Sequence, residues 1–172
     1  VIAPCYNEEK NIKIFYEKLA FVINQLNISY NFIFIDDGST DGSWKIIQEL
    51  NSKDKNIKAV RFSRNFGHQT AIFCGIQKAD ADYVLILDVD LQDPPEILKD
   101  MYKKIISNNV NIVYAQRSKT NEHFFKKITS ILFYKIFNFL SEVKIPEQTS
   151  DFRIFDKKVL VELKKFKEKN LF

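Results

Sequence analysis

Two cysteines, Cys5 and Cys74, are all that this 172-residue chain contains. They are too few for a disulfide framework, and neither belongs to a Cys-x-x-Cys pair. A reduced, cytosolic setting is the simpler expectation. Only His68 and His123 accompany them, which argues against a zinc site. Four glycines and four prolines exclude collagen-like and linker compositions. No run of about 18 apolar residues occurs, so no segment reads as a membrane span, and no secretory leader is visible. Both Gly-rich phosphate loops, Gly-x-Gly-x-x-Gly and Gly-x-x-x-x-Gly-Lys-Ser/Thr, are missing, which argues against a dinucleotide dehydrogenase and a P-loop nucleotidase. No Ser-His-Asp or Cys-His arrangement is suggested either.

What is present suits one folded domain of ordinary size. Hydrophobic residues make up 45% and charged residues 28%, which excludes a disordered chain. A chain this long buries roughly 70% of its unfolded surface and needs no staple. It opens at Val1 inside a strand-like run and stops at Phe172 in a Lys-rich segment. The expectation is a single catalytic domain over residues 1–172, trimmed at both ends, with a membrane segment following it. Charge is uneven. Residues 1–98 hold 10 Lys and Arg against 14 Asp and Glu, and residues 99–172 hold 16 against 8. An acidic half suited to a metal thus precedes a basic half suited to phosphate or an anionic surface, or simply to a solvated Lys-rich face.

Strand-like and helix-like runs alternate. Strands are expected at 1–3, 31–35, 57–62, 83–87, 111–115 and 152–155. Helices are expected at 8–26, 43–50 (capped by Thr40 or Asp41), 69–77, from Pro94 and Pro95 to about Ser107, at 124–140, and from Lys157. The alternation predicts an α/β fold, a Rossmann-like, mainly parallel sheet with helices on both faces. Ligands of such sheets bind beyond the carboxyl ends of the strands, so those ends carry the functional information.

After the first strand comes Pro4-Cys5-Tyr6-Asn7-Glu8-Glu9. Asn7 and Glu8 read there as helix-opening residues, Asn7 as a cap and Glu8 as a partner of the helix dipole. After the second comes Asp36-Asp37-Gly38-Ser39-Thr40-Asp41. Two adjacent carboxylates exceed what a turn needs and can accept hydrogen bonds from a base or a ribose, though a purely structural role stays open. After the fourth comes Asp88-Val89-Asp90-Leu91-Gln92-Asp93. Three carboxylates at the end of so apolar a strand cost desolvation unless a positive charge offsets it. Asp88 and Asp90, two apart in extended backbone, share a side and can converge on one cation. Oxygen ligation suits Mg²⁺ or Mn²⁺, which would bridge to phosphate. Arg117, Lys119, Lys126, Lys127 and Arg153 lie in the basic half, and Arg suits bidentate phosphate contact.

Together these segments resemble the family 2 glycosyltransferases, more narrowly the polyprenol-phosphate sugar transferases. The carrying residues are Pro4–Glu9, Asp36–Asp41, Arg64-Asn65-Phe66-Gly67, Asp88–Pro95 with Glu96, Arg117, and Asp151-Phe152-Arg153, in the expected order over nearly the whole chain. The resemblance implies an A-type glycosyltransferase fold and an inverting transfer from a nucleotide-diphosphate sugar, a UDP- or GDP-sugar, to a polyprenyl phosphate. By position, Pro4, Tyr6, Asn7 and Glu8 would line the nucleotide pocket. Asp36 would contact base or ribose, with Asp37 beside it. Asp88, Asp90 and Gln92 would hold Mg²⁺ or Mn²⁺ and the diphosphate. Arg117 would bind phosphate, with Lys126, Ser130 and Arg153 on the acceptor side. Asp151 falls at the family's candidate base or acceptor-side carboxylate. Asp90, Asp151 and Arg117 are thus the expected catalytic set. Ala115 stands where Gly is common, and Lys126 where Arg is often found.

The resemblance also implies a domain at the cytoplasmic face of the cell membrane, anchored by segments outside this chain, with no nucleic-acid partner; a homo-oligomer is left open. The Phe-rich, Lys-flanked run 124–140 suits an interfacial helix or equally a core helix. Rival readings are a transferase to a sugar hydroxyl of a surface polysaccharide, which needs Asp151 or another carboxylate as a true general base, a haloacid dehalogenase-type phosphohydrolase suggested by Leu-Ile-Leu-Asp-Val-Asp, and a non-catalytic nucleotide-sugar binder.

Overall fold

The computed structural model describes residues 1–116 and 149–166. In chain order the elements are β1 (Ile2–Cys5), α1 (Ile12–Asn24), β2 (Phe32–Asp36), α2 (Ser43–Lys53), β3 (Ile57–Arg61), α3 (His68–Lys78), β4 (Tyr83–Ile86), a 3₁₀ turn (Pro95–Ile97), α4 (Leu98–Ser107), β5 (Ile112–Gln116), β6 (Thr149–Asp156) and α5 (Lys157–Lys165). The strands form one sheet in the order β3-β2-β1-β4-β6-β5. β1 pairs in parallel with β2 and β4, and β2 in parallel with β3. β6 runs antiparallel to both β4 and β5. The expected mainly parallel α/β sheet is therefore present, with one reversed strand.

The sheet separates two cores. In β2, Phe32 and Phe34 face one side with Phe15, Leu19, Met101 and Phe152. Ile33 and Ile35 face the other with Ile72, Ile76, Phe155 and Leu160. Helices α1, α2 and α4 thus cover one face, and α3 and α5 the other. All five β2 residues are buried, which is why the run Phe-Ile-Phe-Ile reads as unbroken apolar sequence. Each such fully buried side chain contributes roughly 1.5–3 kcal/mol. α3 sits close on the sheet: a Cβ on Gly75 would stand 2.4 Å from Ile2 Cγ2.

Several boundaries differ from expectation. α1 begins at Ile12, not near Glu8, with Asn11 at its N-cap position; Asn7 has φ 57°, and its Oδ1 accepts from the Thr40 N–H at 2.9 Å. Asn7 is therefore not its cap. α2 begins at Ser43 and extends to Lys53; its N-cap is Gly42, not Thr40 or Asp41, and Asp41 Oδ1 accepts from the Ser43 N–H at 2.9 Å. Pro95 opens a 3₁₀ turn before α4. No helix among the described residues is long and apolar enough to cross a membrane. The expected helix 124–140 lies outside the described residues, as do Arg117, Lys119, Lys126, Lys127 and Ser130.

Candidate functional site

The sheet order reverses direction at β1, between β2 and β4, and open α/β sheets bind ligands at such a switch point. A cleft of about 280 Å³ lies there. β1 contributes Pro4, the loop after it Tyr6 and Glu8, and the β2 end Asp37. The segment after β3 contributes Asn65, Gly67 and His68, and the β4 end Asp88 and Asp90.

One wall is tied together by hydrogen bonds between loops. The Asn7 N–H donates to Ser39 Oγ at 2.9 Å, and Asn7 Oδ1 accepts from the Thr40 N–H at 2.9 Å. The Glu8 N–H donates to Ser43 Oγ at 2.8 Å, and Glu9 Oε2 accepts from the Gly42 N–H at 2.8 Å. The paired carboxylates hold the next loop. Asp36, fully buried, takes the Ser39 N–H on Oδ1 at 3.0 Å and faces Arg61 Nε across 3.2 Å on Oδ2. Asp37 takes the N–H groups of Phe66 and Gly67 at 2.7 and 2.9 Å. Gly38 is required by this packing: its φ is +73°, and a Cβ there would stand 2.4 Å from the Arg64 carbonyl carbon. Asp36 thus lies beneath the cleft, and Asp37 both lines it and frames the Arg64–Gly67 segment.

The opposite corner is built differently. The β4–β6 register pairs Ile86 with Arg153. Continued by two residues, it sets Asp88 beside Asp151. His68, first residue of α3, fills the space between them, with Nε2 3.4 Å from Asp88 Oδ1 and 3.5 Å from Asp151 Oδ2. Asp151 Oδ1 also pairs with Arg153. Asp88 Oδ1 is shielded from solvent yet has no hydrogen-bond partner. Burial pushes the Asp88 carboxyl up to about 6, helped by Asp151, Asp90 and Asp93 and opposed by His68. The hydrogen bond to Asp151 holds the His68 imidazole above its usual value, against burial. The same bond, with Arg153, holds Asp151 below the usual carboxylate range, again against burial. In the loop beyond, Leu91 adopts φ 60° and Asp90 Oδ1 accepts from the Gln92 N–H at 3.0 Å, a strained turn of the kind found at binding sites.

The donor chemistry fits a divalent cation. A buried carboxylate oxygen without a partner, a second carboxylate and an imidazole lie within 4.8 Å of one another, and Asp90 lines the same cleft. Of the residues expected from sequence, Pro4, Tyr6, Glu8, Asp37, Asp88 and Asp90 come together on the cleft. Asp151 and Arg153 adjoin it through His68. Asn7 ties two loops beside it, and Gln92 sits in the turn after Asp90. His68 was not expected. Its signal was positional: it follows Arg64-Asn65-Phe66-Gly67 at the start of a helix, hence at the carboxyl edge of the sheet.

Known proteins are similar to this chain in sequence and in fold. Over 173 aligned residues covering the whole chain, it is 42% identical to the uncharacterized glycosyltransferase YkcC of Bacillus subtilis and 35% identical to the prophage bactoprenol glucosyl transferase homolog of Escherichia coli. The chain spans 53% and 56% of those relatives, about half their length. In structure it resembles TarS of Staphylococcus aureus, with TM-score 0.63 and 20% identity over 98% of this chain and 50% of that one. It also resembles glucosyl-3-phosphoglycerate synthase of Mycobacterium tuberculosis, solved with Mn²⁺, UDP-glucose and phosphoglyceric acid, with TM-score 0.64 and 17% identity over 91% and 56%. Those likenesses establish the A-type glycosyltransferase fold. Residues 1–164 match the family described as Glycosyl transferase family 2, and the chain belongs to that family.

Proposed function

We propose that this domain moves a sugar, with inversion, from a UDP- or GDP-sugar to a polyprenyl phosphate at the cytoplasmic face of a membrane. The observation that carries the reading is the cleft at the β1/β4 switch point, where Asp88 and Asp90 face the Pro4–Glu8 segment. Relatives named bactoprenol glucosyl transferases, aligned over the whole chain, support the lipid-phosphate acceptor.

The nucleotide would lie against Pro4, Tyr6 and Glu8, over the frame that Asp36 and Asp37 hold. Asp88, Asp90 and Gln92 would hold Mg²⁺ or Mn²⁺. When bound, such an ion neutralises the charge that develops on the leaving diphosphate. An acceptor phosphate oxygen would form the new bond to the anomeric carbon as the bond to the diphosphate breaks, and the nucleoside diphosphate would leave with the electron pair. Arg117, Lys126, Ser130 and Arg153 are the proposed acceptor-side contacts.

Asp151 helps to choose the acceptor class. A sugar hydroxyl must lose a proton, so its transferase needs a general base with a pKa near the working pH. Asp151 is held the other way, below the ordinary range, by His68 and then Arg153, which makes it a poor base. A phosphate is already anionic and needs none. The test is transfer of labelled glucose from UDP-glucose, and of mannose from GDP-mannose, to polyprenyl phosphate in detergent by the full-length protein. Lipid-linked sugar is the expected product. Label appearing only on a free sugar hydroxyl would reject the lipid-phosphate reading.

A further inference from the structure

We propose that His68 is itself a metal ligand, its imidazole nitrogen completing a mixed nitrogen–oxygen seat with one oxygen each from Asp88 and Asp151. The inference rests on the metal-dependent reading above and changes its ligand set, from an all-oxygen group in one loop to a group drawn from three separate elements.

Three observations converge. The donor atoms of His68, Asp88 and Asp151 lie within 4.8 Å of one another. Two atoms bound to one ion at roughly 2.0–2.2 Å stand no more than about 4.4 Å apart, and His68 Nε2 meets that limit with both carboxylates, 3.4 Å from Asp88 Oδ1 and 3.5 Å from Asp151 Oδ2. Asp88 Oδ1, the atom nearest His68 Nε2, is buried without a hydrogen-bond partner, a costly state unless something occupies it. The remaining groups hold the seat in place. Asp151 gives its other oxygen to Arg153. Asp37 anchors the N–H groups of Phe66 and Gly67 immediately before His68. Asp90 stands on the same cleft wall as a further oxygen donor.

An imidazolium balancing two carboxylates is the competing account. The Arg153 guanidinium on Asp151 completes that balance, and Asp90 on the same cleft wall adds a further carboxylate that still attracts a cation. Imidazole ligation also separates the metals. Mg²⁺ demands oxygen donors, whereas Mn²⁺ and its neighbours in the transition series accept nitrogen. The seat should therefore prefer Mn²⁺.

The test is pulsed electron paramagnetic resonance of Mn²⁺ on the full-length protein, with UDP and separately with GDP. Expected is a directly bonded ¹⁴N coupling in the wild type, lost in His68→Ala and His68→Gln and retained in His123→Ala. Mn²⁺ affinity should fall tenfold or more in His68→Ala, the scale on which groups supporting a metal act, and the preference for Mn²⁺ over Mg²⁺ should shrink. His68 is 40% exposed, so both variants should fold, which their melting temperatures would verify. Mn²⁺ bound with oxygen coordination alone, or a ¹⁴N coupling that survives in His68→Ala, overturns the role of His68 while leaving the metal-dependent reading intact. No Mn²⁺ binding with either nucleotide overturns both.

Discussion

The two walls of the cleft treat their carboxylates in opposite ways. On the β1–β3 side, Asp36, Asp37 and Glu9 each accept backbone N–H groups from neighbouring loops. On the β4–β6 side, Asp88 keeps a buried oxygen with no hydrogen bond and a raised pKa. Asp36 Oδ2 is likewise buried without a hydrogen bond but faces the Arg61 guanidinium at 3.2 Å, whereas Asp88 Oδ1 faces the His68 imidazole at 3.4 Å. Buried polar groups are normally satisfied, so the unsatisfied side is where binding energy remains available.

Substitutions on the two walls should therefore fail differently. The largest effect is expected for Asp90→Ala on the open wall: sugar transfer should fall by about 10²–10³, or ~2.7–4 kcal/mol of transition-state stabilisation, with little change in melting temperature. Near-normal transfer by that variant would reject Asp90 as part of the metal site. On the satisfied wall, Asp37→Ala strips two backbone donors of a buried acceptor. It should destabilise the fold by about 3 kcal/mol, read in chemical denaturation, and lower activity only through the misplaced Arg64–Gly67 segment. A loss of transfer without a loss of stability would reverse the contrast.

Smaller effects sharpen it. Asp151→Asn keeps an oxygen and removes only charge, so transfer to a lipid phosphate should drop less than in Asp90→Ala, by about tenfold, or ~1.4 kcal/mol. A loss as deep as that of Asp90→Ala would instead mark Asp151 as an obligatory base. Asp88 gives the smallest and most specific signal. Its pKa is raised in the folded state to about 6, so the folded chain binds more protons than the unfolded one between about pH 4 and 6. Its contribution to metal-free stability therefore falls as pH rises through that window. His68, also raised, changes stability in the same direction as pH passes its own range. Two pKa units correspond to about 3 kcal/mol, and solvent screening of a side chain one-third exposed reduces this to about 1 kcal/mol. Metal-free Asp88→Asn should thus be more stable than wild type at pH 7.5 by that amount, and equal to it near pH 4. An Asp88→Asn variant less stable at pH 7.5 would show the carboxylate to be already satisfied.

What could be read from sequence divides along the same line. The strand Phe32–Ile35 was legible because burial on both faces leaves an unbroken apolar run. The acidic rim was legible because carboxylates after apolar strands are chemically conspicuous. Pairings across loops were not. Nothing local says that Asp37 reaches Phe66 and Gly67, or that Asn7 adopts a left-handed conformation and ties Thr40 instead of capping α1. The reversal of β6 is a matter of topology, invisible in Phe152–Phe155, yet it is what carries Asp151 to Asp88. His68 was missed for the same reason, since its meaning depends on two partners distant in the chain.

The most direct measurement is calorimetric titration of UDP and of GDP into the full-length protein, with and without Mn²⁺. If the open wall is a metal and diphosphate seat, Mn²⁺ should strengthen binding of one nucleotide at least tenfold, and Asp90→Ala should abolish that gain while leaving the metal-independent part unchanged. Nucleotide binding indifferent to Mn²⁺ and to Asp90 would contradict it.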